Sequence, residues 1–237
     1  MIPEAIVLAG GLGTRLQSAV PDLPKCLAPV AGRSFLEYLL VCYRKQGVKR
    51  FIFALGYKTE MIESFVRETL FPSEYAFSIE TDPLGTGGAV YQACRQVSGS
   101  DAIVLNADTF FSLKLSELSS VHQDKKADCT LALKPMKQVD RYGQVELNDQ
   151  RQVIGFSEKK YMEGGLINGG VYALNVKNFL TKSFPATFSF EKDYLEKEYS
   201  TGKIYGMISD AYFIDIGIPE DYQQAQKELL QHITDGA

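Results

Sequence analysis

Arg15 and Lys25 are the residues of this sequence whose setting points most directly at chemistry. Arg15 lies in LAGGLGTRL, Leu8 to Leu16, where Gly10, Gly11, Gly13 and Thr14 follow the short apolar run EAIV. Lys25 comes shortly afterwards, behind Pro24. Glycine lets backbone N–H groups approach phosphate oxygens closely, and the start of a helix adds positive potential. Two cations and a row of amides can therefore converge on one polyphosphate. The spacing differs from other glycine loops. The dinucleotide pattern G-x-G-x-x-G is met at Gly11 and Gly13 but has Leu16 in its third place, and no G-x-x-x-x-G-K-[ST] loop occurs. The histidines, His122 and His232, lie in polar, helix-like stretches, which argues against a histidine metal site or a serine–histidine triad.

Such a loop works at the carboxyl end of a strand in an open α/β sheet. The neighbouring pattern supplies that sheet. AIVLA (Ala5 to Ala9), RFIFAL (Arg50 to Leu55), AFSIE (Ala76 to Glu80) and AIVLN (Ala102 to Asn106) read as buried strands. SFLEYLLVCYRKQG, KTEMIESFVRETL and GGAVYQACRQVS between them carry helical spacing, with Gly47 placed to end the first. Strands alternating with helices pair in parallel through right-handed crossovers. Beyond these, DCTLALKPM, QVEL, QVIGFSEK and GGVYALN are strands with shorter connections, expected to build a small lobe onto the sheet. PEDYQQAQKELLQHI closes the chain as an amphipathic helix, with Tyr222, Ala225, Leu229, Leu230 and Ile233 on one packing face. The expectation is an α/β fold. It has a doubly wound, Rossmann-like, mixed but mostly parallel sheet in a single domain over residues 1–237, divided into parts 1–110 and 111–237.

Bulk properties narrow the function. The chain has 237 residues, 45% hydrophobic and 23% charged, enough for a sizeable core and against global disorder. Its net charge of -4 argues against a protein that coats nucleic acid through an overall positive field. For an anionic substrate the cations must be concentrated locally. The start MIPEAIV lacks a basic n-region, and no apolar stretch is long enough to span a bilayer. Cys26, Cys42, Cys94 and Cys129 are far apart with no CxxC spacing and read as reduced, mostly buried thiols of a cytoplasmic protein.

In chain order, LAGGLGTRL, LPKCLAPV, ETDPLGTGGA, LNAD, YGQVELNDQRQVIGFSEK, INGGVY and IDIGIPEDY resemble the signature segments of the sugar-1-phosphate nucleotidyltransferases. DTFF, DRYG, LINGGVY, FSFEK and YFIDIGIPEDY are most similar to the branch that transfers a guanylyl group to a heptose 1-phosphate. Cys26, Ala107 and Lys160 depart from the commoner family residues without removing a group the chemistry needs. The resemblance implies a nucleotidyltransferase (GT-A-like) fold whose small lobe holds the sugar. It implies transfer of a nucleoside monophosphate, GMP favoured, from the triphosphate to a sugar 1-phosphate, with pyrophosphate released and Mg²⁺ as cofactor.

The same resemblance distributes roles. Leu8, Ala9, Gly10, Gly11, Gly13, Thr14, Arg15, Lys25, Glu80, Pro83, Gly85, Thr86 and Asp108 are expected at the nucleotide, with Arg15 and Lys25 as the catalytic cations. Asp108 and Asp215 are expected at the metal, and Gly143, Glu158, Lys159 and Asn168 at the sugar phosphate. Glu80, ending its strand, is expected to read guanine, because a carboxylate accepts from N1–H and N2–H₂ together. Glu191 in FSFEKD has two readings: contact with a sugar hydroxyl and, favoured over it, an acid in the first turn of a helix. Three other readings stay open: a mannose 1-phosphate guanylyltransferase, a uridylyltransferase for an amino-sugar 1-phosphate, and a catalytically silent nucleotide-binding module. A nicotinamide oxidoreductase is disfavoured by the missing third glycine and by FALGYK, which lacks an acid closing the second strand.

Overall fold

The run EAIVL forms strand β1 (Glu4–Leu8), buried along almost its whole length because both of its faces are covered. The protein is seen in a computed structural model that describes residues 1–11, 16, 20–137, 143–157, 164–201 and 203–234. A two-residue hairpin, β2 (Pro29–Val30) and β3 (Arg33–Ser34), leads into α1 (Phe35–Lys45). Ser34 caps α1 by accepting from the Glu37 N–H at 3.1 Å, and Gly47 lies just past its end. Next come β4 (Arg50–Leu55), α2 (Thr59–Thr69), β5 (Tyr75–Ile79), α3 (Gly85–Cys94) and β6 (Asp101–Asn106). β1 pairs in parallel with β4 on one side and β6 on the other, and β4 pairs in parallel with β5. The chain thus winds outward from β1 to β5 and returns to the far side of β1. Ligands of open α/β sheets bind where the winding reverses, at the strands' carboxyl ends. Here that point is Leu8 beside its register partner Asn106.

β7 (Thr109–Phe111), α4 (Leu115–Asp124), β8 (Cys129–Met136), β9 (Gln144–Leu147), β10 (Val153–Ser157) and β11 (Gly165–Asn175) follow. After α5 (Val176–Leu180), a π-helical turn (Phe190–Leu195) runs into the single turn α6 (Glu196–Glu198). The chain ends with β12 (Ile204–Ile208), β13 (Phe213–Asp215), α7 (Pro219–Glu228) and α8 (Gln231–Thr234). β11 joins the halves. Its C-terminal part pairs antiparallel with β6, Ile167 pairs with Gln144 of β9, and β8 runs along its other side. Its register with β8 breaks between Asn168 and Tyr172. Gly170 sits in that break with φ +68°, and a Cβ there would lie 2.8 Å from the Asn106 side-chain amide. Glycine is required at this bulge, which swings Asn168 away from the parallel strands.

β6 shows how the sheet is held. Ile103 and Leu105 enter the core shared with α1 and α2, while Ala102 and Val104 enter the core shared with α3 and α5. Burial of each large aliphatic contributes about 1.5–3 kcal/mol. α7 returns to the first hairpin, where Gln226 accepts from the Ala31 N–H at 2.8 Å and donates to the Pro29 carbonyl at 2.6 Å. Ala225 and Leu229 are buried as expected, but Leu230 is half exposed. The residue sits outside the packing face because it lies about 100° around a helix from Leu229, in the turn between α7 and α8. The placement of Ile233's side chain lies outside the described structure. All four cysteines are free, and three of them are buried. Among the described residues no helix is long and apolar enough to cross a membrane.

His122 is not on a polar surface. It is buried on α4, with Nδ1 3.1 Å from the Thr130 hydroxyl and Nε2 3.5 Å from Asp101. Burial holds its pKa below the ordinary value, against the opposing pull of Asp101. A histidine with a depressed folded pKa contributes stability that is complete above the unfolded pKa, about 6.5, and is lost as pH falls below it. Urea denaturation should therefore show the wild type losing stability between about pH 7 and pH 5. His122→Gln should lose less over the same interval. Parallel pH profiles for the two proteins would contradict this reading.

Candidate active site

The site grows from a two-stranded ribbon. β13 pairs antiparallel with β7, setting Asp215 opposite Thr109 and therefore next to Asp108. The Ile216 N–H extends the ribbon by donating to the Asp108 carbonyl at 3.0 Å. Phe110, Phe111, Ile214 and Ile216 bury its apolar side, and the Tyr43 hydroxyl ties α1 to it by donating to the Phe111 carbonyl at 3.0 Å. Lys25 opens a short 3-10 turn (Lys25–Leu27) whose next residue, Cys26, is buried and anchors it. Lys25 Nζ lies 2.7 Å from Asp108 Oδ2 and 3.4 Å from Asp215 Oδ1. A Cβ at position 217 would stand 2.8 Å from Asp215 Oδ1 and 3.1 Å from Lys25 Nζ, so any larger residue there displaces these charged tips. The Gly217 N–H uses that room to donate to Asp215 Oδ1 at 2.7 Å.

The electrostatics follow from this crowding. Burial raises the Asp215 carboxyl above its ordinary pKa, and Asp108 beside it adds to the rise, while Lys25 opposes it. One ammonium leaves the two carboxylates short of positive charge. Burial and Asp108 push the Cys26 thiol up to about 12, so it stays protonated at neutral pH and is no nucleophile. Among the described residues no group of three or more His, Cys, Asp or Glu side chains forms a ready cation cage. The aspartate pair suits a cation whose other ligands come from substrate and water, as Mg²⁺ prefers.

Beside the ribbon opens a cavity of about 540 Å³ at the reversal point of the sheet. It draws together Leu8 at the end of β1, Gly10 and Gly11 from the loop after it, Glu80 and Pro83 from the loop before α3, Gly85 and Thr86 from the first turn of α3, and Asp108 after β6. All eight are residues the sequence singled out. Ala9 lies between two of them with its side chain in the core and its N–H donated to the Ala54 carbonyl at 3.0 Å. Glu80 rests against the backbone of Gly10 and Gly56, and its Oε2 accepts from the Leu84 N–H at 2.9 Å. Gly143 is exposed just before β9 and does not line the cavity. Asn168 stands behind the wall, donating to the Tyr172 hydroxyl at 2.8 Å. Gly13, Thr14, Arg15, Glu158 and Lys159 lie outside the described residues.

The structure adds wall residues that the sequence did not single out: Ala89, Asn106, Tyr172 and Phe190. Glu191 is there too, although its place at the start of a helical segment read as a helix-end acid. Asn106 was within reach of the sequence, since it ends a strand directly before Asp108. Tyr172 was not, because a tyrosine in an apolar strand reads as core.

The fold, the reversal-point cavity and the Lys25–Asp108–Asp215 cluster define a class. The family model for nucleotidyl transferases matches residues 4–232, and the chain belongs to that family. Two curated relatives carry a narrower description. The D-glycero-alpha-D-manno-heptose 1-phosphate guanylyltransferase of Aneurinibacillus thermoaerophilus is 50% identical over 97% of this chain and 100% of its own. The enzyme of the same description from Campylobacter jejuni is 43% identical over 92% of this chain and 96% of its own. HddC from Yersinia pseudotuberculosis, whose crystal structure is complexed with GMP-PN, superposes with a TM-score of 0.86 at 37% identity, covering 96% of this chain and 99% of HddC.

Proposed function

We propose that the protein transfers GMP from GTP to D-glycero-α-D-manno-heptose 1-phosphate, giving the GDP-heptose and pyrophosphate. The observation that carries this reading is the Lys25–Asp108–Asp215 cluster at the edge of a cavity walled by two glycine-containing loops. Identity to two heptose 1-phosphate guanylyltransferases over nearly the whole chain supports the choice of substrates.

An oxygen of the sugar 1-phosphate attacks the α-phosphorus of GTP. The new P–O bond forms as the α–β bridging bond breaks, and the bridging oxygen leaves with its electron pair on pyrophosphate. No enzyme group needs to form a covalent bond, so catalysis is alignment plus stabilisation of charge. The amides of the loop after β1 and Arg15 hold the triphosphate, Arg15 through its forked guanidinium. Lys25 leaves its two aspartates to reach the α-phosphate and the incoming sugar phosphate. Lys159 steadies the sugar phosphate and Glu158 holds the sugar, while Asn168, whose Nδ2 donates to Tyr172 and Glu191, orients the wall from behind. Asp108 and Asp215 would hold Mg²⁺, which supplies neutralisation of the phosphate oxygens when bound.

Glu80 reads the base. The Leu84 N–H fixes one carboxylate oxygen, and each oxygen still has a lone pair to accept from guanine. Glu80→Gln keeps an oxygen for Leu84 but loses one of the two acceptors that guanine N1–H and N2–H₂ require. The preference for GTP over UTP, measured as the ratio of kcat/KM values, should fall by about tenfold to a hundredfold. An unaltered ratio would assign base choice to another group.

A further inference from the structure

Glu191 sits on the cavity wall in a setting that its sequence position does not explain. The helical turn it opens is already capped: Ser189 Oγ accepts from the Lys192 N–H at 3.2 Å, and Asp193 accepts from the Ser189 N–H at 2.8 Å. Glu191 is therefore not needed at the turn's exposed amides. Its Oε1 lies 3.3 Å from the Tyr172 hydroxyl and 3.3 Å from Asn168 Nδ2. The Asn168 amide is oriented by the Gly170 N–H, which donates to Oδ1 at 3.1 Å, so Nδ2 faces Tyr172 and Glu191. Tyr172 is fully buried, and burial, reinforced by Glu191, raises its pKa well above the ordinary value. Its phenol thus stays neutral and donates.

The segment before Glu191 is fastened to the α3 loop. The Phe188 N–H donates to the Leu84 carbonyl at 3.0 Å, the Gly87 N–H to the Phe188 carbonyl at 2.9 Å, and the Phe190 N–H to Thr86 Oγ1 at 3.0 Å. A carboxylate, which repels phosphate, is thus held rigidly against the start of α3 on the cavity wall.

We infer that Glu191 is a specificity-determining residue that accepts hydrogen bonds from hydroxyls of the sugar, at the end of the ring away from the 1-phosphate. This rests on the proposed guanylyl transfer and names the group that selects the acceptor. A carboxylate held there welcomes neutral hydroxyl donors and rejects an acceptor with a second anionic group at that end. The favoured acceptor is a polyhydroxylated sugar carrying one phosphate only.

The test uses the full chain with GTP and D-glycero-α-D-manno-heptose 1-phosphate, with mannose 1,6-bisphosphate as a competing acceptor that carries a second phosphate at the far end of the sugar. Glu191→Gln should raise the KM for the heptose phosphate by about tenfold to a hundredfold, leaving the KM for GTP within about twofold. The same variant should bind mannose 1,6-bisphosphate more tightly than the wild type does. Tyr172→Phe, which removes one donor from the carboxylate and leaves the carboxylate in place, should shift the same KM by a smaller factor. Matched melting temperatures show that both variants fold. An unchanged sugar KM in Glu191→Gln, or a GTP KM that rises equally, overturns the inference while guanylyl transfer stands. If the wild type turns over no sugar 1-phosphate, the functional reading fails and takes the inference with it.

Discussion

Asp108→Asn and Asp215→Asn should each slow pyrophosphate release by about a thousandfold or more, with the fold intact. The ribbon of β7 and β13 brings these carboxylates together across the chain, and both lie within reach of Lys25 Nζ. Burial and the like charge of Asp108 raise the Asp215 pKa. A carboxyl raised in the folded state costs stability as pH climbs through the window between its unfolded and folded values. Neutral asparagine removes that cost and still offers an oxygen to the Gly217 N–H. The melting temperature of Asp215→Asn at neutral pH should therefore equal or exceed that of the wild type, although activity has collapsed. Such a split separates a site that sacrifices stability for function from a merely structural ion pair. Wild-type-like rates from either variant at saturating Mg²⁺ would refute the assignment.

Lys25→Met should lower kcat by about a hundredfold to a thousandfold while changing the KM for GTP by less than about threefold. The charge of Lys25 is needed most where charge develops in the transition state, not where the triphosphate rests. The structure adds a second readout. With Lys25 gone, the two carboxylates lose the ammonium that sits on both of them. Mn²⁺ titrated into nucleotide-free Lys25→Met should then bind more tightly than to the wild type. A variant that alters only the KM for GTP, with kcat intact, would make Lys25 a binding group.

The parallel half of the fold was legible in the sequence because its signals are local. Uniform apolar runs mark β1, β4 and β6, and Ser34 and Gly47 bound α1 with ordinary capping chemistry. The reversal point also follows from local order, since strands alternating with helices leave few ways to wind the sheet. The meeting of Asp108 with Asp215 was legible only through resemblance, because no local pattern predicts a ribbon between β7 and β13. Glu191 as a sugar contact ranked below Glu191 as a helix-turn acid for a similar reason. Its place at the start of a turn suits a cap, and only the packing of Phe188 and Phe190 on the α3 loop shows that it faces a cavity. His122 and Leu230 misled in opposite directions. A polar neighbourhood concealed a buried imidazole satisfied by Thr130, and an apolar residue at a helix end lay outside the packing arc.

Guanylyl transfer to a heptose 1-phosphate is tested most directly by pyrophosphate release from the wild-type protein with Mg²⁺. Each of GTP, ATP, UTP and CTP is paired with D-glycero-α-D-manno-heptose 1-phosphate, mannose 1-phosphate, glucose 1-phosphate and N-acetylglucosamine 1-phosphate. The expected result is the highest kcat/KM for GTP with the heptose phosphate, with mannose 1-phosphate, which shares the manno ring, next among the acceptors. Pyrophosphate release that is fastest with UTP and an amino-sugar phosphate, or absent from every pair, would contradict it.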